Sequence, residues 1–322
     1  MSKLKPLLCL FIFLMYLSFG HAQVYPEKPI HIIVPFAAGG GLDIAARTVA
    51  NGVSEGLKQL VVVENKPGAN SILGATHVAR SAPDGYTFLF TSGSTVSVLP
   101  HITRSLPFDP KKDLLPVGKV AKFPFFLVVH PSLPVYDLKQ FLSFAKSKPG
   151  EITYGSAGNG TGAHIGFELL KSAVGMDVTH IPYKSTNEAM PDLLTGRIKA
   201  MMADFPVVRR ALEDNTLRVL AVSTKDRSFM LPGVPTAIEQ GVAGFDLEIW
   251  FGIFAPAGTS NSIIVRFNEV LQSFLKSPSA VNAFTKAGYT IDSSSADSLG
   301  NLVAAESTRW GQLARAGALK MD

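Results

Sequence analysis

The sequence predicts an α/β chain folded as two lobes, joined by two crossing strands, with a ligand cleft between them. Three observations carry that expectation. Short β-branched runs alternate with amphipathic helical stretches, the pattern of βαβ units on mostly parallel sheets. One arrangement, a short strand, a glycine-rich loop without a basic side chain and a helix start, occurs once in each half of the chain. About 300 residues follow the apolar N-terminal segment, long for one hydrophobic core and comfortable for two.

The N-terminal segment carries Lys3 and Lys5, then an apolar run from Leu7 to Phe19 that falls short of the ~20 residues a spanning helix needs. With the small residues of Gly20-His21-Ala22 behind it, the run reads as a secretory signal peptide cut after Ala22. The only cysteine, Cys9, lies upstream of that cut, so a processed chain has neither a disulfide nor a thiolate site. Loss of residues 1–22 removes two lysines and no acid, and the formal charge falls from +5 to +3, 28 basic against 25 acidic residues. No basic stripe is dense enough for a polyanion, which argues against nucleic acid as a partner.

The first lobe opens with strands at 30–34, 60–64 and 86–91, separated by helices and by the turn signals Asn65-Lys66-Pro67-Gly68 and Pro83-Asp84-Gly85. A proline-rich connection from Leu106 to Pro116 leads to Phe125–Val129, read as the first strand of the second lobe. That lobe continues with a helix at 137–147, strands at 152–154, 177–182, 197–203 and 217–223, and a helical run from Glu188 to Leu194. After the turn Leu231–Pro235, the aromatic stretch Phe245–Phe254 reads as a crossing strand. The rest, to an amphipathic run at 296–315, is helical and is expected to pack back on the first lobe. The resulting division is 23–122 with 253–322 as the first lobe and 123–252 as the second.

The chemistry sits in the glycine loops. In the first, His31–Val34 leads into Pro35-Phe36-Ala37-Ala38-Gly39-Gly40-Gly41-Leu42-Asp43 and a helix from Ile44; in the second, Ile152–Tyr154 leads into Gly155–Gly162 and a helix carrying Ile165, Leu169 and Leu170. Glycines let backbone N–H groups approach a ligand, and a helix N-terminus adds donors and roughly half a positive charge. Each loop is therefore a candidate anion cradle, and both leave strands at the carboxyl end, where open α/β sheets bind ligands.

Catalytic signatures are missing. Ser92, Ser94 and Ser156 lack the glycine of a G-x-S-x-G elbow. Ile44 stands where a dinucleotide fingerprint needs its last glycine, and no P-loop lysine follows. His31, His77, His101, His130, His164 and His180 form no H-x-x-x-H pair, so neither a metal nor a cofactor is expected.

Single residues carry a plain reading beside the functional one. Asp43 stands where a helix begins and suits an N-cap. Asp204, after Ala200–Ala203, points toward the expected cleft as a helix cap or as a partner for a ligand amino or hydroxyl group. Thr91-Ser92-Gly93-Ser94-Thr95 follows a strand as a turn or a set of donors. Phe36 suits a pocket wall, His164 suits packing, and Lys184 a solvated surface.

Seven segments in order resemble the Bug-type solute receptors of tripartite tricarboxylate transport: Tyr25–Ile30, Ile33–Gly41, Val63–Ala69, Ala82–Tyr86, Tyr154–Thr161, His180–Lys184 and Trp250–Gly258. They span nearly all of the chain after residue 22. The resemblance implies a two-lobed periplasmic binding protein, type II-like, that closes on small organic acids, without enzymatic activity. It implies a monomer serving membrane transporter subunits. It also implies one carboxylate held at Phe36, Ala38, Gly39 and Asp43 with Gly40 beside them, partly through waters, and the other end met by Ser156, Gly158, Asn159 and Thr161. Thr91, Ser92, Ser94 and Asp204 complete the candidate set. Two departures stand out: Leu42 replaces a usual threonine before the aspartate, and a usual Phe-Asp-Asn appears as Met202-Ala203-Asp204. Two rivals are an exported ligand sensor for a signalling partner and an exported hydrolase or isomerase with Asp204 or His164 as base.

Overall fold

Ile30–Val34 is a run of β-branched residues around one histidine, and it forms β1, all but one of its side chains buried. The computed structural model describes residues 25–317 and Leu319; the expected signal peptide and Cys9 lie outside the described residues. β1 pairs in parallel with β2 (Val61–Asn65) and with β3 (Thr87–Ser92), placing Ile32 opposite Val63 and Phe88. β4 (Leu114–Pro124), β10 (Glu248–Pro256) and the short β11 (Thr290–Ile291) complete a six-stranded sheet in the order β11-β4-β10-β3-β1-β2. The second sheet holds β5 (Phe126–Val129), β6 (Thr153–Ser156), β7 (Thr179–Pro182), β8 (Ala200–Ala203) and β9 (Arg218–Val222), ordered β7-β6-β8-β5-β9. Each sheet is parallel where βαβ units build it and antiparallel around the strands nearest the crossings.

The strand before Phe125 is absent from the sequence reading, which ran a connection to Pro116 and began the second lobe's strands at Phe125. Leu114–Pro124 is instead an 11-residue strand antiparallel to β10. Its register slips twice, leaving Val120 and Val117 without partners in the ladder, and Pro116 sits beside the second slip. Bulges tolerate a residue with no N–H, so the proline that disguises the strand is accommodated there. Residues 123–124 and 248–252 accordingly pair within the first sheet.

The chain passes between the sheets at Pro124 to Phe126 and again ahead of Glu248, and an aromatic cluster packs these passages. Phe123 lies 4.6 Å from Phe251 and 4.8 Å from Tyr289, ring centroid to ring centroid. One hydrophobic core runs through this cluster into both sheets, and a smaller core covers the far face of each. The C-terminal helices pack on the first sheet, with Phe267 on Phe88 at 4.3 Å and Asn268 Nδ2 donating to the Val117 carbonyl at 2.7 Å. No helix among the described residues is long and apolar enough to cross a membrane.

Candidate functional site

Four helices start at the carboxyl ends of strands and aim their N-termini at one cavity between the sheets. They are Gly41–Leu57 after β1, Gly162–Val174 after β6, Thr186–Leu194 after β7 and Phe205–Glu213 after β8. Their N-cap residues, Gly40, Thr161, Ser185 and Asp204, all line that cavity. Its floor is the aromatic strand pair, Phe123, Phe125, Ile249 and Phe251; Phe36, Ser92 and Ser94 close one side. The cavity measures about 90 Å³, well below the ~300–1,000 Å³ of drug-sized sites, and suits a small metabolite. No lysine, arginine or histidine lines it among the described residues. Helix termini supply positive potential there.

Of the residues expected from sequence, Phe36, Gly40, Asp43, Ser92, Ser94, Thr161 and Asp204 lie in the lining, while Ala38, Gly39, Thr91, Ser156, Gly158 and Asn159 lie outside it. The second loop explains much of that split. Gly158 N–H donates to Ser156 Oγ at 3.0 Å, Gly160 N–H to His164 Nδ1 at 3.1 Å, and Thr161 Oγ1 donates to the Gly158 carbonyl at 2.7 Å. The Gly158 and Gly160 amides are thus used internally; of the loop only Ala157 reaches the lining, which continues one turn later with Thr161, Gly162 and Ala163. Its glycines serve close approach: Gly158, at φ +115°, faces Asn70, and Gly160, at φ +76°, faces Leu99 and Ile102. Thr91 is buried and donates to Thr95 Oγ1 at 2.8 Å. Gly39 stands at the rim, its carbonyl accepting from Asn187 Nδ2 at 2.7 Å.

The two carboxyl groups of the cavity differ. Asp43 is not the N-cap: that is Gly40, and Asp43 lies in the helix's first turn. Its carboxylate accepts from Gly39 N–H at 2.9 Å, Asn65 Nδ2 at 2.9 Å and Arg47 Nε at 3.0 Å. Burial opposes ionisation, but the Arg47, Gly39 and Asn65 hydrogen bonds outweigh it and hold the group below the usual carboxylate range. Asp204 is the N-cap of its helix, yet its side chain makes no capping bond. It accepts from Tyr289 Oη at 2.6 Å, and burial pushes its carboxyl up. A Cβ at Gly41 would overlap both Asp204 Oδ2 and Tyr289 Oη, so glycine is required at the first turn of that helix.

Ser156 and His180 have a nucleophile–base separation, Oγ to Nε2 at 2.7 Å. Ser156 is fully buried outside the cavity, and burial, with His164 and Lys171 nearby, holds His180 down at about 3. Such a ring is a weak base at neutral pH. His164, a candidate base on the sequence, lies with its ring tilted against His180 at 4.4 Å and also lies outside the lining.

Sequence reasoning missed Ser185, Thr186 and the aromatic floor. Ser185-Thr-Asn-Glu188 is a capping box, with Glu188 N–H donating to Ser185 Oγ at 3.2 Å, and that signal marks a further helix start after a strand.

A family model described as "Tripartite tricarboxylate transporter family receptor" matches residues 45–319. The chain belongs to that receptor family. The receptor is 36% identical to Protein BugT of Bordetella pertussis over 301 residues, 93% of this chain and 92% of BugT. It superposes on the periplasmic binding protein BugD with a TM-score of 0.87 at 30% identity, over 92% of this chain and 100% of BugD. It superposes equally, at TM-score 0.87 and 32% identity, on an R. palustris protein solved with adipate, over 90% of this chain and 97% of that one. The fold is thus that of a two-lobed periplasmic binding protein, and the relatives are solute receptors rather than enzymes.

Proposed function

We propose that the receptor works in the periplasm, where it captures a small mono- or dicarboxylate and hands it to the membrane subunits of a tripartite tricarboxylate-type transporter. The observation that carries this reading is the meeting of four helix N-caps in one small cavity that no cationic side chain lines among the described residues. Each helix terminus adds about 0.3–1 kcal/mol of charge stabilisation, and each amide hydrogen bond to an ionised group about 1.5–3 kcal/mol. Micromolar capture, about 8 kcal/mol, is within reach of four termini without an ion pair. The adipate held by the R. palustris relative supports a dicarboxylate of similar size.

Closure follows from where the donors sit. Gly40 belongs to the first sheet's helix and Thr161, Ser185 and Asp204 to those of the second, so an anion touching both sides stabilises the closed arrangement over the open one. On this reading residues 1–22 are a signal peptide cut after Ala22. The lobes comprise 23–122 with 253–322 and 123–252, apart from the crossing residues 123–124 and 248–252, which pair in the first sheet, and a monomer meets the transporter transiently.

A thermal-shift screen against small carboxylates tests the reading, since a ligand at 100 times its Kd stabilises by about 2.7 kcal/mol. Thr186→Asp places a carboxylate in the lining at a helix N-terminus that favours it, so the apo protein stays folded. Its shift with a carboxylate is expected to disappear. An undiminished shift removes this cavity from the reading.

A further inference from the structure

The two acids of the cavity are held in opposite environments. Asp43 has an arginine and two further donors; Asp204, only 5% exposed, has the Tyr289 hydroxyl and no cation within ion-pair distance among the described residues. Pairs of carboxyl groups set apart in this way divide the charged and the neutral role between them.

The charged groups on the elements around Asp204 are engaged elsewhere. On the helix Gly41–Leu57, Arg47 is taken by Asp43. On β4 and β10, Lys122 pairs with Glu248, and Lys119 pairs with Asp292. On the helix Thr186–Leu194, the Glu188 carboxylate accepts from the Lys184 N–H, and Asp192 pairs with Arg197. On the helix of Asp204 itself, Arg209 and Arg210 pair with Glu213 and Asp214 in solvent. Ahead of β11 stands Tyr289, whose hydroxyl burial and the neighbouring Asp204 push well above its usual value, so it remains a donor.

An anion entering this cavity meets helix termini and one acid without a counter-charge. Were that acid ionised, it would face the ligand's charge at short range in a low-dielectric site, where repulsion is strong. We propose that Asp204 meets the captured anion as a neutral carboxylic acid, with Oδ2 fixed by Tyr289 and the acid proton offered to a ligand oxygen, so that Asp204 sets both specificity and the pH dependence of capture. This inference rests on the carboxylate-receptor reading. Burial pushes the Asp204 carboxyl above the ordinary aspartate range, consistent with the neutral form. The sign is fixed: ionisation of Asp204 weakens binding, so affinity holds at low pH and falls as pH rises.

The test is calorimetric titration of the full-length processed receptor and of Asp204→Asn with succinate, malate and adipate, from about pH 5 to pH 9. The receptor is expected to lose affinity by up to about tenfold per pH unit once Asp204 ionises, and Asp204→Asn to lose that slope. Identical pH profiles for the two proteins overturn the proposal. A second arm follows carboxyl carbon-13 resonances of aspartate-labelled apo receptor: one signal, missing in Asp204→Asn, should titrate above the ordinary aspartate range. A normal titration for that signal also overturns the proposal while leaving the receptor reading intact. Absence of binding by all three acids at every pH overturns both.

Discussion

Asn187 Nδ2 donates to the Gly39 carbonyl at 2.7 Å, tying a helix of the second sheet to the first glycine loop across 148 residues of sequence. The bond exists only while the two sheets face each other closely. It belongs with the Tyr289–Asp204 bond and with the approach of Asn70 to Gly158 as a contact of the closed arrangement.

Asn187→Ala removes one neutral hydrogen bond at an exposed position, worth about 0.5–1.5 kcal/mol. Because the bond supports closure, the loss is expected in ligand affinity, about two- to tenfold, carried by faster dissociation, with Tm nearly unchanged. Stopped-flow binding checks this. A wild-type dissociation rate would show that Asn187 does not hold the lobes together.

Gly41→Ala puts a methyl group where Asp204 Oδ2 and Tyr289 Oη already lie. Alanine suits a helix better than glycine by up to about 1 kcal/mol, but Tyr289 lies on the same lobe as Gly41, so the clash persists with the cleft open and apo stability is not expected to rise. Full closure is blocked, and affinity should fall at least about tenfold. Small-angle scattering with saturating ligand should show no compaction in the variant; compaction equal to wild type contradicts the prediction.

Arg47→Ala leaves the buried Asp43 carboxylate with the Gly39 and Asn65 donors only. The expected destabilisation is about 1–2 kcal/mol at neutral pH, the low end for a charged hydrogen bond because Arg47 is half exposed. The sign with pH follows from the depressed Asp43 value. Its stabilisation is present above the unfolded pKa of ~3.9 and is lost as pH falls through the folded value. Losing Arg47 moves the folded value toward the unfolded one, so the stability gap between the two proteins should be full near neutral pH and shrink as pH falls. Urea melts across pH 3–7 measure this, and a gap that stays constant down to pH 3 would exclude the Asp43 pairing as its source.

Local patterns made most of the fold legible. β1, at Ile30–Val34, and the final helix, Ala296–Arg315, stand where periodicity puts them, because burial on one face repeats at the spacing of the element. β4 was hidden because Pro116 reads as a break unless a partner strand supplies a bulge, and that partner, β10, lies more than 100 residues away. The same limit applied at the site. The first loop's contribution was readable in Phe36, Gly40 and Asp43, whereas Ser156, Gly158 and Asn159 fall outside the lining, with Ser156 Oγ and His164 Nδ1 taking the Gly158 and Gly160 amides.

The sequence by itself determined strand–loop–helix units that expose helix N-termini, and a set of loops without lysine or arginine, since both follow from local sterics and composition. Only the tertiary structure decided that Gly40, Thr161, Ser185 and Asp204 share one cavity, and that Asp204 lies against Gly41 and Tyr289. The physical reason is range. A helix start is set by a few neighbouring residues, but the facing of two sheets is set by the β4–β10 pairing and by the packing of Phe123, Phe251 and Tyr289.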